Sequence, residues 1–422
     1  MVWKLKLFLL SVITGVLTGI AVIFYVFLTK ALSYLFYLGE PLTTIPNLPF
    51  WYVFFITTSS ILVVNLIILY NEKAKEYGIR EISEALEKNR LTFSSSDLIM
   101  KIVASSLSIG SGFAVGNEGP SAAIGAIIAC KVKKFFNLPK ELLKVAIGIG
   151  ASSGISAVFV SPITGILFAV ENVAYSLVKD FIGFMVLGSF SSFLIALMYL
   201  KPIIFNYSTG KNIHLDYLVS LFLFIPVISG GIYVYLTLRD KVLFYLNSLA
   251  SEKLSPLQRV ALVSVLGGGT VALILKISPY GGFSGHEVVS ALINGSFHLP
   301  LSVILVLVFL RIVSNAVSLY SNAVGGLFIT LMSIGALIGY GFGEWLKTFN
   351  FSVEPFYFAA IGAATFVGTV MRIPFTAVVL ALELTYDYNV VVPTGFVVSV
   401  VGFLASLAFD LRKGFLRRSR PS

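Results

Sequence analysis

G-S-G-F-A-V-G-N-E-G-P-S-A-A-I-G, residues 110–125, is the stretch on which the reading of the whole chain turns. Its single ionisable residue is Glu118, and no other charged side chain stands between Lys101 and Lys131. A lone carboxylate in so long an apolar, Gly-rich run is expensive to keep at membrane depth. Gly116 and Gly119 supply backbone freedom around it, and Pro120 fixes φ. Pro120 suits the first turn of a new helix, and S-A-A-I-G-A-I-I-A continues at helical composition. Glu118 is therefore expected in a break between two helices, close to a helix N-terminus. Unpaired backbone N–H groups at such an end form an anion site. That site can hold the Glu118 carboxylate or a small anion. The simpler alternative is that Glu118 merely caps the helix beginning at Pro120, stabilised by the macrodipole. The uncharged sequence on both sides weighs against it, because a water-exposed cap has no need of such neighbours.

Working outward, composition sets the class. Of 422 residues, 57% are hydrophobic and 12% charged, where a soluble domain carries about one-quarter charged residues. The chain reads as an all-α, multi-pass membrane protein, and at roughly 20 residues per span it has room for more than ten segments. Many apolar runs are broken by Gly, Pro or Ser, so some helices should be short or re-entrant. Such backbone survives at membrane depth only where protein or a polar cavity surrounds it. Part of the net charge of +10 sits at the ends: Lys4 and Lys6, then Arg412, Lys413, Arg417, Arg418 and Arg420. The positive-inside rule then places both termini in the cytoplasm, with the chain in the cell membrane. The apolar run after Lys6 is long enough to remain as a helix rather than a cleaved signal. After Asp410 only about a dozen residues follow, so no C-terminal regulatory domain is expected.

Several functions are disfavoured. No basic face with interleaved aromatics appears, so the positive charge does not point to nucleic acid. Cys130 is the only cysteine, which excludes a disulfide framework and a cysteine metal site. His214, His286 and His298 are scattered near predicted loops and do not converge on a metal. No nucleophile–base spacing or phosphate-binding Gly-x4-Gly-Lys loop is present, so neither an enzyme, an ATP-driven pump nor a cofactor is implied. An intramembrane hydrolase would need a second catalytic group beside Glu118, and only Asn, Ser and Thr are at hand. A cation carrier fits poorly with inward-pointing helix N-termini.

In chain order, residues 7–36 and 51–70 read as long apolar helices, and 72–97 as a charged interfacial or cytoplasmic segment. Residues 98–115 lead into the Glu118 break, and 124–130 continue beyond it to a polar turn. Residues 145–170 are Gly- and Ser-rich with Pro162 in the middle, a pattern of closely packed or broken membrane helices. Spans are expected at 181–199, 217–238, 260–277 and 301–319, the last enclosing Arg311. A Gly-rich loop occupies 279–287.

The second half repeats the first. G-A-S-S-G-I-S-A-V-F-V-S-P-I-T-G-I-L-F-A-V-E at 150–171 matches G-A-A-T-F-V-G-T-V-M-R-I-P-F-T-A-V-V-L-A-L-E at 362–383, at an offset of 212. I-G-A-I-I at 124–128 matches I-G-A-L-I at 334–338, at an offset of 210. Two matches at nearly equal offset indicate duplication, with repeats over about 1–200 and about 214–411 of one transmembrane domain. Transporters built this way place their ion site near the midplane, between discontinuous helices. Glu171 and Glu383 take equivalent places in the two copies and share a structural job, while Arg372 reads as a snorkelling or paired charge. The copy of the Glu118 segment is G-G-L-F-I-T at 325–330, a second Gly-rich helix start without an acid.

G-N-E-G-P at 116–120, G-G-L-F at 325–328, the duplicated P-x-T-[GA] helices and E-L-T-Y-D-Y at 383–388 resemble the CLC family of chloride channels and proton–anion exchangers. The resemblance runs over about residues 7–409. It implies a homodimer with one anion pathway per subunit, each subunit an inverted repeat of tilted and broken helices in the lipid bilayer. Glu118 falls on the family's gating glutamate. Anion contacts are implied at Tyr77, Gly78, Gly116, Asn117, Gly119, Gly326, Leu327, Phe328 and Ile329, with Asn172 and Phe415 as inner-gate candidates.

The departures from the family pattern concern the filter. Its G-S-G-I-P corresponds to E-Y-G-I-R at 76–80, which puts Tyr77 at the serine and Arg80 at the proline. Asn117 replaces the usual base before the gate, and Thr330 ends a motif that usually ends in proline. Asn172 stands where exchangers often carry an inner glutamate. Asn117 and the missing inner acid resemble the fluoride-exporting branch. Tyr77 is expected to offer a hydroxyl in place of the serine. The expected function is movement of a small monovalent anion, chloride first and fluoride or nitrate as alternatives, gated by Glu118. Without a titrating group at position 172 the balance tilts towards uncoupled or weakly proton-coupled conduction over proton-coupled exchange.

Overall fold

A run of twenty or more apolar residues can satisfy its backbone in lipid only as a helix, and the long apolar runs fold that way. The computed structural model describes residues 2–75, 82, 94–171, 178–202, 215–249, 254–293 and 299–418. The first half contributes α1 (Val2–Tyr37), α2 (Phe50–Tyr70), α3 (Ser95–Gly110), α4 (Glu118–Phe135), α5 (Leu143–Phe159), α6 (Pro162–Ala169) and α7 (Val178–Leu197). The second contributes α8 (Leu215–Leu249), α9 (Pro256–Ile277), α10 (His286–Ile293), α11 (Leu301–Tyr320), α12 (Phe328–Lys347), α13 (Pro355–Met371), α14 (Pro374–Thr385) and α15 (Tyr388–Arg418). Among the described residues no strand forms, apart from one isolated bridge described below.

Burial follows lipid logic. Phe24, Leu35, Trp51 and Phe55 point outward, while Ser11, Thr14, Thr18, Thr57, Ser60 and Asn65 on the same two helices are buried. Water would punish that arrangement; hydrocarbon does not. Eight helices among the described residues are long and apolar enough to cross a membrane, and shorter apolar ones cover Phe181–Leu197, Pro355–Met371 and Pro374–Thr385. Together with the family relationship shown below, this makes the chain a multi-pass membrane protein.

Two compact units are distinguished. The first comprises Met1–Ile203, Leu238–Val288 and Phe309–Thr330; the second comprises Ile204–Thr237, Val289–Val308 and Leu331–Ser422. Each has a glycine crossing of the same design. In the first, a Cβ on Gly125 of α4 would land on the Gly150 carbonyl of α5, and the reverse holds too. In the second, Gly335 of α12 and Gly362 of α13 meet in the same way. Lipid offers no hydrophobic drive between helices, so backbone approach through small residues supplies the packing. These glycines are the duplicated ones of the sequence.

The broken helices are duplicated as well. α5 ends on Val160 at φ 52, ψ 42, and α13 ends on Arg372 at φ 60, ψ 45, both left-handed. Two residues later Pro162 and Pro374 open α6 and α14. A proline cannot continue a helix but suits the first turn of the next.

Within the first unit the two copies meet in opposite directions. Gly116 N–H donates to the Gly326 carbonyl at 2.7 Å and Gly326 N–H returns the bond to Gly116 at 2.6 Å, an isolated antiparallel bridge. Around it, Ala114 N–H donates to Ser318 Oγ at 2.8 Å and Val324 N–H donates to Ser108 Oγ at 3.0 Å. Ser318, Val324 and Gly326 stand 210 positions after Ser108, Ala114 and Gly116. The reciprocity is that of a local two-fold relation between the two copies.

Among the boundaries that differ from expectation, three bear on the site or on the charged ends. α4 begins at Glu118 rather than Pro120; Pro120 is then the third residue, where its missing N–H is one that had no intrahelical partner anyway. α8 runs on past residue 238 to Leu249, carrying Arg239, Asp240 and Lys241 on a half-wet end. α1 begins at Val2, so Lys4 and Lys6 are helical.

Candidate functional site

Glu118 is the first residue of α4 and is 2% exposed. Its Oε1 accepts the Ile329 N–H of the first turn of α12 at 3.1 Å. Its Oε2 is buried without a hydrogen-bond partner among the described residues. A Cβ on Gly116 or on Gly326 would overlap the carboxylate. The acid therefore lies over the Gly116–Gly326 bridge, where the starts of α4 and α12 face one spot. The positive ends of two helices and their unpaired amides favour a negative group there. No described side chain forms an ion pair with it. A carboxylate held by backbone alone, with one oxygen unserved, is only partly compensated for its burial. Such a group can be exchanged for another small anion at modest cost.

Local sequence explains the geometry. Ser111 caps the end of α3, and Gly112 at φ 100 turns the chain out of it. Asn322 at φ 58 does the same after α11. Gly and Asn tolerate this region best. Each turn leads into an extended arm that ends at the bridge glycine, and each arm is followed by a helix start. Phe328 opens α12 with its ring 1% exposed, 4.4 Å from Phe159 and 5.5 Å from Phe168 between ring centres. Three packed rings thus surround that helix start with apolar surface.

One group that the sequence reading left without a role is central to the surroundings. Arg311 of α11 is fully buried. Its Nη1 donates to the carbonyls of Tyr280 and Gly282 at 2.9 Å each, and its Nη2 to that of Ser284 at 3.0 Å. The Gly-rich loop before α10 is wound around this guanidinium, which satisfies carbonyls that no helix serves. Thr330, where the resemblance led to an expectation of proline, donates its hydroxyl to the same Ser284 carbonyl at 3.1 Å. Proline could not make that bond. An arginine inside an apolar span followed from the sequence; its acceptors, about thirty residues upstream, did not.

Of the residues expected at the site, Glu118, Gly116, Gly326 and Ile329 come together as described. A Cβ on Gly326 would stand 3.2 Å from Gly119 N, so Gly119 belongs to the same cluster. Asn117 is the residue before α4, and its Oδ1 is buried with no partner among the described residues. Leu327 and Phe328 complete the turn into α12. Tyr77, Gly78 and Asn172 lie outside the described residues. Phe415 lies in α15, with its side chain outside the described ones. The Ser108 and Ser318 hydroxyls that hold the two arms were missed, although sliding the sequence against itself by 210 positions superposes them.

Comparison with known proteins agrees on a family. Residues 59–406 match the model of the voltage gated chloride channel family. The H+/Cl− exchange transporter ClcA of Cronobacter sakazakii is 25% identical over 408 residues, which cover 92% of this chain and 84% of that protein. The ClcA exchanger of Vibrio cholerae serotype O1 (strain O395) is 25% identical over 371 residues, 82% of this chain and 75% of its own. Among solved structures, a slow cyanobacterial Cl−/H+ antiporter superposes with a TM-score of 0.81 at 21% identity, covering 98% of this chain and 99% of its own. A CLC-type fluoride/proton antiporter gives 0.76 at 17% identity, with 94% and 95% covered. These two likenesses concern the fold.

Proposed function

The chain belongs to the voltage-gated chloride channel family, and from that premise we propose that it exchanges chloride for protons across a membrane, with Glu118 serving both ions. Anion transport is the family's business; the ion, the coupling and the residue roles are our reading. The observation that carries it is the Glu118 carboxylate lying on the Ile329 amide at the start of α12, with its second oxygen unserved. In the deprotonated state the carboxylate takes the anion's place over the Gly116–Gly326 bridge. A proton on Oε2 cancels its charge and with it the attraction to the two helix starts. The neutral side chain leaves, and chloride takes the freed amides. Loss of the proton to the opposite side brings the carboxylate back and expels the anion. Gly116, Asn117, Gly119, Gly326, Leu327, Phe328 and Ile329 line the place by backbone. In this proposal two copies form the working unit, each with its own pathway, and both termini face the cytoplasm.

The curated relatives quoted above are named as proton/chloride exchangers, and this supports coupling. A second reading, uncoupled chloride conduction, is favoured by one feature of the sequence: position 172 is asparagine, where exchangers often carry an inner acid. Fluoride is the alternative ion, since Asn117 resembles that branch. Reconstitution in liposomes separates these. Under exchange, an imposed chloride gradient drives proton movement at a fixed ratio, and Glu118→Gln abolishes it. Chloride flux without proton movement establishes the uncoupled reading. Fluoride flux that far exceeds chloride flux changes the ion.

A further inference from the structure

Each arm that carries a bridge glycine hangs from the residue that directly follows a helix, and in each case the carbonyl of that residue is served by a side chain from a different helix. After α3 the Ser111 carbonyl accepts the hydroxyl of Tyr37, the last residue of α1, at 2.8 Å. After α11 the Ser321 carbonyl accepts Asn65 Nδ2 of α2 at 3.0 Å. Ser321 stands 210 positions after Ser111, so the two anchored carbonyls are equivalent. The anchors are not. Asn65 has Leu275 as its counterpart 210 positions on, and Asn322 has Gly112 as its counterpart 210 positions earlier. The contacts follow suit. Asn322 Nδ2 donates to Asn65 Oδ1 at 2.8 Å, while Leu275 packs on Gly112 so closely that a Cβ there would stand 2.6 Å from its Cδ1. One copy has a polar pair beneath the turn and the other an apolar pair. The apolar pair offers no donor to Ser111, and Tyr37 supplies one from elsewhere.

All the groups involved are deep in the protein. Tyr37 and Ser111 are fully buried, Ser321 is fully buried and Asn65 is 3% exposed. A buried carbonyl that loses its donor draws water or moves to find another. The arm between the carbonyl and the bridge is short: Ser111 to Gly116 on one side, Ser321 to Gly326 on the other. Displacement at its root is delivered to the amides that face Glu118.

We propose that Tyr37 and Asn65 are positioning residues for anion binding, which fix the two arms at the level where the Gly116–Gly326 bridge and the Ile329 amide meet one anion. The inference rests on the anion-transport reading above. Neither residue touches the site; both act through the arms.

The test uses the full-length protein, purified and reconstituted, with three variants. Tyr37→Phe removes one oxygen and keeps the ring and its edge contact with Phe283, 6.0 Å between centres. Asn65→Leu removes the donor. Asn65→Leu with Asn322→Gly rebuilds in the second arm the leucine–glycine pair of the first, which restores packing without restoring the bond to Ser321. Bromide and chloride affinity are measured by calorimetry, and the pH profile of anion flux in liposomes. Each variant is expected to bind anion about tenfold more weakly, a smaller loss than the roughly hundredfold that a misplacement of about 1 Å can cost a reaction. The pH profile of flux, which passes through Glu118, is expected to shift with it, and the double variant to stay weak although its thermal stability recovers. Variants that melt earlier yet keep the unsubstituted affinity and pH profile overturn the inference and leave the two side chains as structural supports. Recovery of affinity in the double variant overturns it too, because packing would then suffice. Absence of anion binding in the unsubstituted protein defeats the function reading and this inference with it, whereas normal binding there beside unchanged variants defeats the inference alone.

Discussion

The starts of α4 and α12 are copies of one another that differ in what the side chains do. Both follow a left-handed turn, an extended arm and a bridge glycine. Both arms are held by a serine hydroxyl from the other copy. Yet the first carries an acid at its helix start and the second carries Phe328, whose neighbour Ile329 donates its N–H to that acid. Duplication thus produced two amide-rich ends, and in the proposed function the difference between them makes the site. On that reading one end brings a removable negative charge, and the other brings the fixed donor for which a small anion would compete with it. A symmetric acid in both copies would place two carboxylates at one spot, and they would repel each other or share a proton.

That comparison can be broken at several depths. The glycine crossings should fail first and alike. Gly150→Leu in the first unit and Gly362→Leu in the second each force a side chain onto a backbone carbonyl. Overpacking and lost helix contact should cost about 3 kcal/mol or more in each case. Size-exclusion profiles in detergent and thermal melts check this; a tolerated leucine at one crossing only would mean the two units do not share their packing rule.

Next in size is Arg311. Arg311→Met strands the Tyr280, Gly282 and Ser284 carbonyls in a dry loop, and should cost about 3 kcal/mol, since bonds from a charged donor are the strong ones. Arg311→Lys keeps the charge but not the fork, and should lie between. Equal melting temperatures for the three proteins would remove the guanidinium from the account of the loop.

The paired serines give the sharpest reading of symmetry. Ser108→Ala and Ser318→Ala each leave one buried amide without its acceptor and should cost about 1–2 kcal/mol apiece. Matched losses, with the pair together losing more than either, are expected because the two bonds hold one bridge. A large loss on one side with none on the other would show that one arm carries the bridge alone. Smallest is Thr330→Val, which drops one hydroxyl while Arg311 still serves Ser284; about 0.5–1 kcal/mol is expected from the same melts.

Much of this was legible in the chain and some was not. Glu118 announced itself because no other charge stands within a long apolar run, and the duplication because Gly, Pro and small residues recur at one offset. Those are local or periodic signals. The breaks at Pro162 and Pro374 were readable for the same reason, since proline acts on its own backbone. What the chain concealed was long-range pairing. Tyr37 and Ser111 are 74 positions apart, and Asn65 and Ser321 are 256 apart. Nothing in their neighbourhoods marks either pair, because an isolated polar residue in a membrane helix is equally at home against its own preceding turn. Helix ends were blurred where charge begins: α8 continues through Arg239-Asp240-Lys241 because water tolerates a helix as readily as a loop there.

The claim beneath all of this is that the Glu118 carboxylate and a small anion compete for one place at the start of α12. Anomalous diffraction from crystals soaked in bromide, taken for the unsubstituted protein and for Glu118→Ala, tests it directly. The account predicts a bromide peak within hydrogen-bond reach of the Ile329 amide in Glu118→Ala, over the Gly116–Gly326 bridge, and no peak at that spot when the carboxylate is present and ionised. The same peaks in both proteins, or none near Ile329 in the variant, would contradict it.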